Sequence, residues 1–267
     1  MDKKFIEQSR LALLDLKEAL RLSWFWLALG WLDILQRYRG SMLGPFWLTL
    51  TTAAFIAGLG PLYAKLFNLD MAQYLPYLAI GFTAWGFING TIADCGNAFI
   101  VAGDSLKQMK LPRLALLFQV IWRNIIVFAH SLPIFAVVLL FLGPSFSPVM
   151  LLAIPGFVLV VLNLVWIGLV VAILCTRFRD IGPIITSVMQ IAFFLTPVMW
   201  DHRSQRVSEV YVAINPFASY IELIRTPLLE KAPDLIFVAA ALGTLVVGSI
   251  CAALMFIRSR RRIVYWV

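Results

Sequence analysis

The stretch GSMLGPFWLTLTTAAFIAGLGPLYA, residues 40–64, carries no charge and is bordered by Arg37 and Arg39 on one side and Lys65 on the other. As a helix rising 1.5 Å per residue it is more than long enough to cross a hydrocarbon core of about 30 Å. Pro45 falls in its first turn, where a missing N–H is tolerated. The same pattern recurs down the chain. Residues 71–93 are uncharged and stop at Asp94. Residues 114–176 are too many for one crossing, and the turn cluster Gly143-Pro144-Ser145-Phe146-Ser147-Pro148 divides them in two. Residues 181–200 and 235–257 complete the set. The expected fold is an all-α polytopic membrane protein with six spans, at about 42–64, 71–93, 114–142, 149–176, 181–200 and 235–257.

Composition agrees. The chain has 267 residues, 61% of them hydrophobic and 13% charged, with a mean hydropathy of +0.89, which cannot make a water-soluble surface. Long uninterrupted apolar runs exclude a membrane β-barrel, whose strands alternate apolar and polar residues. The net charge of +8 does not point to nucleic acid, because the basic residues are scattered between hydrophobic runs. Lys and Arg concentrate in the segments on the side of the termini, so both termini are expected in the cytoplasm. Cys95, Cys175 and Cys251 form no metal or redox spacing and read as small apolar packing residues.

Outside the spans, residues 1–41 form an N-terminal cytoplasmic region. Residues 1–20 mix acidic and basic positions without an apolar core, so no removable signal peptide is expected. From Leu20 to Arg39, Trp24, Leu27, Ala28, Trp31 and Leu35 make an apolar stripe at helical spacing, as in a helix lying in the membrane interface. Residues 95–113 make a basic cytoplasmic loop, long enough for a short helix. Residues 201–234 are expected outside as short amphipathic or re-entrant helices broken at Pro216 and Pro227, and residues 258–267 form a basic cytoplasmic tail.

The chain has no GxxxxGK[ST] loop, so any ATP that drives it must be held by another subunit. Gly103-Asp104-Ser105-Leu106 matches a lipase-like tetrapeptide, but His130 and His202 lie at other depths and no catalytic triad can assemble. Asp201-His202 reads as a solvated loop pair. No catalytic residue, metal ligand or cofactor site is expected in this chain.

At Arg37-Tyr38-Arg39-Gly40-Ser41-Met42-Leu43-Gly44-Pro45-Phe46-Trp47 the sequence resembles the RYR-x-S-x-LGPxW signature of permeases from type-2 ATP-binding-cassette polysaccharide exporters, the O-antigen, capsule and teichoic-acid group. The likeness continues through Lys110-Leu111-Pro112-Arg113, Phe178-Arg179-Asp180-Ile181, Thr196-Pro197-Val198, Asn215-Pro216-Phe217 and Arg260-Arg261-Arg262-Ile263, in that order. It implies a homodimer of six-span subunits in the bacterial inner membrane. Two ATP-binding subunits would carry the ATP and Mg, and the cargo would be a polyprenyl-pyrophosphate-linked glycan.

Within that resemblance, Arg37, Tyr38 and Arg39 stand where an interfacial helix enters a span and are candidates for the pyrophosphate headgroup, with Arg123 beside them. They could equally anchor anionic lipid and fix topology, and Arg123 could snorkel to the inner interface. Tyr74, Tyr77 and Trp85, together with Phe55, Phe193 and Phe194, are candidates to line a glycan conduit, against the plainer reading of an aromatic belt and lipid-facing packing. Gly103, Asp104, Leu106, Lys107, Lys110, Pro112 and Arg113 belong to the expected ATPase-coupling loop. Trp200, Asn215, Pro216, Phe217 and Tyr220 belong to the expected external gate. An exporter of lipids or drugs on the same fold, an intramembrane enzyme acting on polyprenyl phosphates, and a passive channel remain open. Clustered acids or histidines at one face would mark the enzyme, and absence of an ATPase partner would mark the channel.

Overall fold

The computed structural model describes residues 3–44, 46–109, 111–142, 147–201 and 207–267. Pro45, Lys110, His202 and the Gly143–Phe146 part of the turn cluster therefore lie outside the described residues. Among those described, all regular structure is helical.

Helix α1 (Lys3–Arg21) leads into α2 (Ser23–Arg37). α2 runs along α7 (Arg113–Ala129), with Trp26 against Phe118 at 5.7 Å. At Gly30 the approach is so close that a Cβ would lie 3.0 Å from the Gln119 carbonyl oxygen, so only glycine fits there without displacing a neighbour. The opposite side of α2 leaves Trp24, Ala28, Trp31 and Leu35 exposed and Leu27 partly so. The expected stripe is thus the face that the rest of the subunit does not cover.

Two glycines with positive φ, Gly40 at 86° and Gly44 at 53°, turn the chain between α2 and α3 (Phe46–Leu66). These are left-handed conformations that glycine adopts without a Cβ penalty. Asp70 then caps α4 (Met71–Gly96), its side chain accepting from the Ala72 N–H. α4 is the central helix, packed by α3, α7, α8, α9 and α12. Two short helices follow, α5 (Ala98–Val101) and α6 (Gly103–Gln108).

The expected span 114–142 is not one helix but two, α7 and α8 (Leu132–Leu142), broken at His130-Ser131. The cause is Pro133, which has no N–H for the Ala129 carbonyl and crowds the preceding turn. The Ser131 N–H bonds back to the Phe128 carbonyl at 2.8 Å. A 3-10 turn over Pro148–Leu152 precedes α9 (Ala153–Arg177). α10 (Ile181–Leu195) stops earlier than the expected 200, because Thr196 precedes Pro197 and is driven extended, with ψ at 136°. α11 (Glu209–Ile214) ends before Pro216, which opens α12 (Pro216–Leu228) as its first residue. α13 (Leu235–Ser259) and the short α14 (Ile263–Trp266) finish the chain.

Among the described residues, Arg113–Leu142, Pro148–Arg177 and Leu235–Ser259 are helical stretches long and apolar enough to cross a membrane, and α10 is a shorter apolar helix. α12 is not a surface amphipathic helix. Every residue from Ala218 to Pro227 is buried, and the helix is inserted among α4, α9 and α13. Asn215 caps it by accepting the Phe217 N–H at 3.0 Å.

One polar group deep in this apolar bundle is fully engaged, which offsets the cost of burying it. Asn163 on α9 accepts from the Tyr220 hydroxyl at 2.9 Å and from the Trp166 indole at 3.0 Å, and donates to the Ala241 carbonyl at 3.1 Å. Thr244 lies 3.1 Å from both Asn163 and Tyr220. One turn farther along α13, the Trp166 ring occupies the space where a Cβ on Gly248 would be.

Candidate functional site

Arg123 on α7 bridges two other helices. Its guanidinium donates to Asp33 of α2 at 3.1 Å and to Asp94 of α4 at 2.8 Å. Gln119 donates to the same Asp33 oxygen at 2.8 Å, Asn124 donates to Asp94 at 3.0 Å, and Arg37 reaches Asp94 at 3.8 Å. Two carboxylates face two guanidiniums, so the cluster is charge-balanced and Arg123 is engaged within the subunit. Arg37 keeps about half its side chain exposed at 46%, with Tyr38 partly exposed and Arg39 exposed beside it. Among the described residues, Arg39 makes no ion pair. The exposed cations beside this cluster are therefore Arg37 and Arg39, with the partly exposed Tyr38 between them and Arg123 bonded to Asp94 behind them.

A second junction gathers three distant segments. Asp15 of α1 is fully buried, accepts the Leu114 N–H at 3.1 Å and the Arg260 Nε–H at 3.0 Å, and lies 3.6 Å from Arg113. Pro112 stands at the N-cap of α7 without a side-chain hydrogen bond, so Asp15 supplies the capping acceptor from another helix. Next to it, Leu106 is buried and Gly103 meets the side chain of Val267. Asp104 and Lys107 remain exposed, as do the apolar Ile100, Val101 and Met109. The loop thus presents a mixed outer surface on a clamped base. The three apolar positions escaped sequence reading, although an apolar residue in a basic loop was the available signal.

The expected conduit aromatics separate into two groups. Phe55, Phe82, Phe193, Trp85, Phe217 and Tyr220 form a continuous chain of rings with centroid separations of 5.1, 6.1, 5.6, 5.8 and 6.1 Å. Phe55 is exposed at one end and Tyr220 buried at the other, Trp85 is buried within the chain, and the exposed Phe194 branches from Phe193 at 5.4 Å. Tyr74 and Tyr77 are elsewhere. They stack on one another at 6.4 Å, with the Tyr74 hydroxyl donating to the Met199 carbonyl at 2.6 Å and the Tyr77 hydroxyl to the Trp200 carbonyl at 3.0 Å. Because α4 is packed on most sides, its tyrosines and Trp85 brace neighbouring helices in this conformation and present no common open stripe. The gate candidates hold the end of α10: Trp200 donates to the Phe194 carbonyl at 3.3 Å, and Asn215 donates to Thr196 at 2.8 Å while Pro216 starts α12.

Sequence reading missed the buried ion pair of Glu222 and Arg225. Arg225 also donates to the Pro197 carbonyl at 2.8 Å and lies 3.7 Å over the Tyr77 ring, while Thr226 donates to Glu222 at 2.6 Å. An acid and a base three apart, between Ile221, Leu223 and Ile224, was the signal. Asp70, Gln73, Tyr74 and Lys231 join this pair around a cavity of about 710 Å³. Among the described residues no cluster of His, Cys, Asp or Glu could hold a metal ion.

Residues 25–229, from α2 through α12, match the family described as ABC-2 type transporter. The chain belongs to the ABC-2 type transporter family. It is 25% identical over 213 residues, 76% of this chain and 79% of the relative, to the O-antigen export system permease protein RfbA of Myxococcus xanthus. It is 22% identical over 197 residues, 71% of this chain and 74% of the relative, to the protein of the same name from Klebsiella pneumoniae. Membership makes the chain a multi-pass transport permease rather than an enzyme, and implies an ATP-binding-cassette partner.

Proposed function

We propose that this permease exports an O-antigen-like polysaccharide, linked to a polyprenyl pyrophosphate, across the bacterial inner membrane. The observation that carries the reading is the likeness, over about three quarters of the chain, to two proteins named as O-antigen export permeases. The working unit is a homodimer with two ATP-binding subunits, which hold the ATP and Mg. Each subunit crosses the membrane six times, through α3, α4, the α7–α8 pair, α9, α10 and α13, with both termini in the cytoplasm.

In this reading the uncovered stripe of α2 lies in the inner interface, and Arg37 and Arg39 receive the pyrophosphate, whose charge suits planar guanidiniums. The coupling loop 95–113 docks the ATPase through Ile100, Val101, Met109, Asp104 and Lys107. The Asp15 junction transmits force from that loop into α7 and α13. The exposed rings of this aromatic cluster, Phe55 and Phe194, face the passing glycan, whose sugar C–H surfaces stack on aromatic faces. The segment 201–234 keeps the outer end closed at rest.

The test is deletion of the gene in the source bacterium. The expected result is loss of surface polysaccharide with lipid-linked glycan accumulating inside, restored by the wild-type gene. Normal surface polysaccharide, or accumulation of a phospholipid or drug instead, overturns the reading.

A further inference from the structure

The tail that begins with Arg260-Arg261-Arg262-Ile263 crosses one end of the bundle as a strap. Arg260 donates to the buried Asp15 of α1 at 3.0 Å, and Arg261 pairs with Glu7 of the same helix at 2.6 Å. Beyond them Ile263 is fully buried in the same apolar cluster as Leu106 of α6 and Ile173 of α9, with Trp266 and Val267 packed against it. What the strap holds is α6. Among the described residues that helix packs chiefly on two elements, α5, to which the chain joins it, and α14. At its first residue, Gly103, an added Cβ would overlap the Val267 side chain, and among the described residues beyond the helix's own turn nothing else comes within 4 Å of that point. A helix of 6 residues is too short to be stable by itself, so the surfaces it rests on set its place.

α14 also lies on α9. There Arg177, the last residue of α9, has its guanidinium 5.5 Å from the Trp266 ring and 4.9 Å from the Phe178 ring, both within cation–π range. Phe178 opens the string Phe178-Arg179-Asp180-Ile181, and Ile181 begins α10. That helix has few contacts to break. Ile184, Val188, Ile191, Phe194 and Leu195 are exposed, and Met189 is its one buried residue. A push on α6 therefore meets a continuous packed path, through Val267 and Trp266 to Arg177 and Phe178, that ends at the start of α10.

We infer that the segment 263–267 is the seat of α6, with Val267 and Trp266 the positioning residues that pass its displacement to α10. The inference rests on the reading of 95–113 as the ATPase-coupling loop and adds a route by which that loop drives α10, separate from the Asp15 junction with α7 and α13. It does not depend on the cargo.

The experiment uses the permease with its ATPase in nanodiscs, with Cys251→Ser to remove the exposed cysteine and Ile184→Cys to place a reporter on the exposed side of α10. The rate at which a water-soluble maleimide labels position 184 is measured with and without ATP and vanadate. The two rates are expected to differ about fivefold or more in this parent, and less than about twofold with Val267→Asp or Trp266→Ala. Recovery of the permease–ATPase complex is the control for assembly. Arg177→Gln, at the exposed end of α9, interrupts the same path without touching the core and should also lower the response. Adding Gly103→Cys and Val267→Cys tests the seat itself. A Cβ at position 103 would lie 3.5 Å from that of Val267, and disulfides take about 3.5–4.5 Å. Because α6 and the tail move as one body, the oxidised pair should keep the parent's response. A disulfide that abolishes the response until it is reduced would show that the two separate, and would overturn the inference. So would a response equal to the parent's in Val267→Asp, Trp266→Ala and Arg177→Gln, or a parent whose labelling ATP leaves unchanged. Failure of the coupling-loop reading is seen separately, as amine crosslinks from Lys107 that never reach the ATPase.

Discussion

Arg123 and Asp94 sit 2.8 Å apart, on two helices twenty-nine positions distant in the chain, and the same guanidinium holds Asp33 on a third. Removing it leaves two partly buried carboxylates facing each other. Arg123→Gln is expected to destabilise the subunit by about 2–4 kcal/mol, seen as a lower melting temperature in detergent. Arg123→Lys, which can reach only one carboxylate well, should fall between the variant and the wild type. A wild-type melting temperature for Arg123→Gln would show that the cluster contributes nothing to the fold.

Asp15→Ala removes the capping acceptor of α7 and leaves Arg113 and Arg260 without their common carboxylate. A loss of about 3 kcal/mol is expected. The ATPase should also be recovered less well in gentle-detergent pull-downs, because the base of the coupling loop is no longer clamped. Full recovery with an unchanged melting temperature would contradict this role.

The buried hydroxyl of Tyr220 gives a smaller effect. Tyr220→Phe deletes its contacts with Asn163 and Thr244 while keeping the ring edge-on against Phe217. Asn163 retains Trp166 and the Ala241 carbonyl, so the expected loss is about 1–2 kcal/mol. Chemical denaturation in mixed micelles measures it.

Two glycines of α13 make an internal comparison. Gly248→Ala drives a methyl into the Trp166 ring and should cost about 1–3 kcal/mol. At Gly243 a Cβ would meet nothing within 4 Å, so Gly243→Ala should be neutral or stabilising by up to about 1 kcal/mol through helix propensity. In parallel thermal melts the midpoint should fall for Gly248→Ala and hold or rise for Gly243→Ala.

The all-helical class, the three long apolar stretches and the outward stripe of α2 were legible in the sequence because each depends on a local pattern: an uncharged run, or apolar residues three and four apart. The break at His130-Ser131 was visible as Pro133 but was outweighed by the apolarity on both sides. Arg123 was recognisable as an unusual charge within a span, whereas its partners were not, since Asp33 and Asp94 come from helices far away in sequence. Helices in 201–234 were expected with a break at Pro216, but the full burial of α12 was not, for a related reason. Glu222 and Arg225 make that segment look polar, yet paired with each other they allow the helix to sit in the core. The ring chain was half legible: Phe55, Phe193, Trp85 and the gate aromatics were each singled out, but Phe82, which joins them, had no distinguishing mark.

The most direct test of the whole account is reconstitution of the purified permease, with and without its ATP-binding partner, into liposomes carrying a lipid-linked O-antigen-type glycan on one face. Glycan reaching the opposite face is detected by a lectin added there. Translocation is predicted only when both subunits, ATP and Mg are present, and the permease alone should hydrolyse no ATP. Glycan crossing without the partner, or ATP hydrolysis by this chain alone, would contradict it.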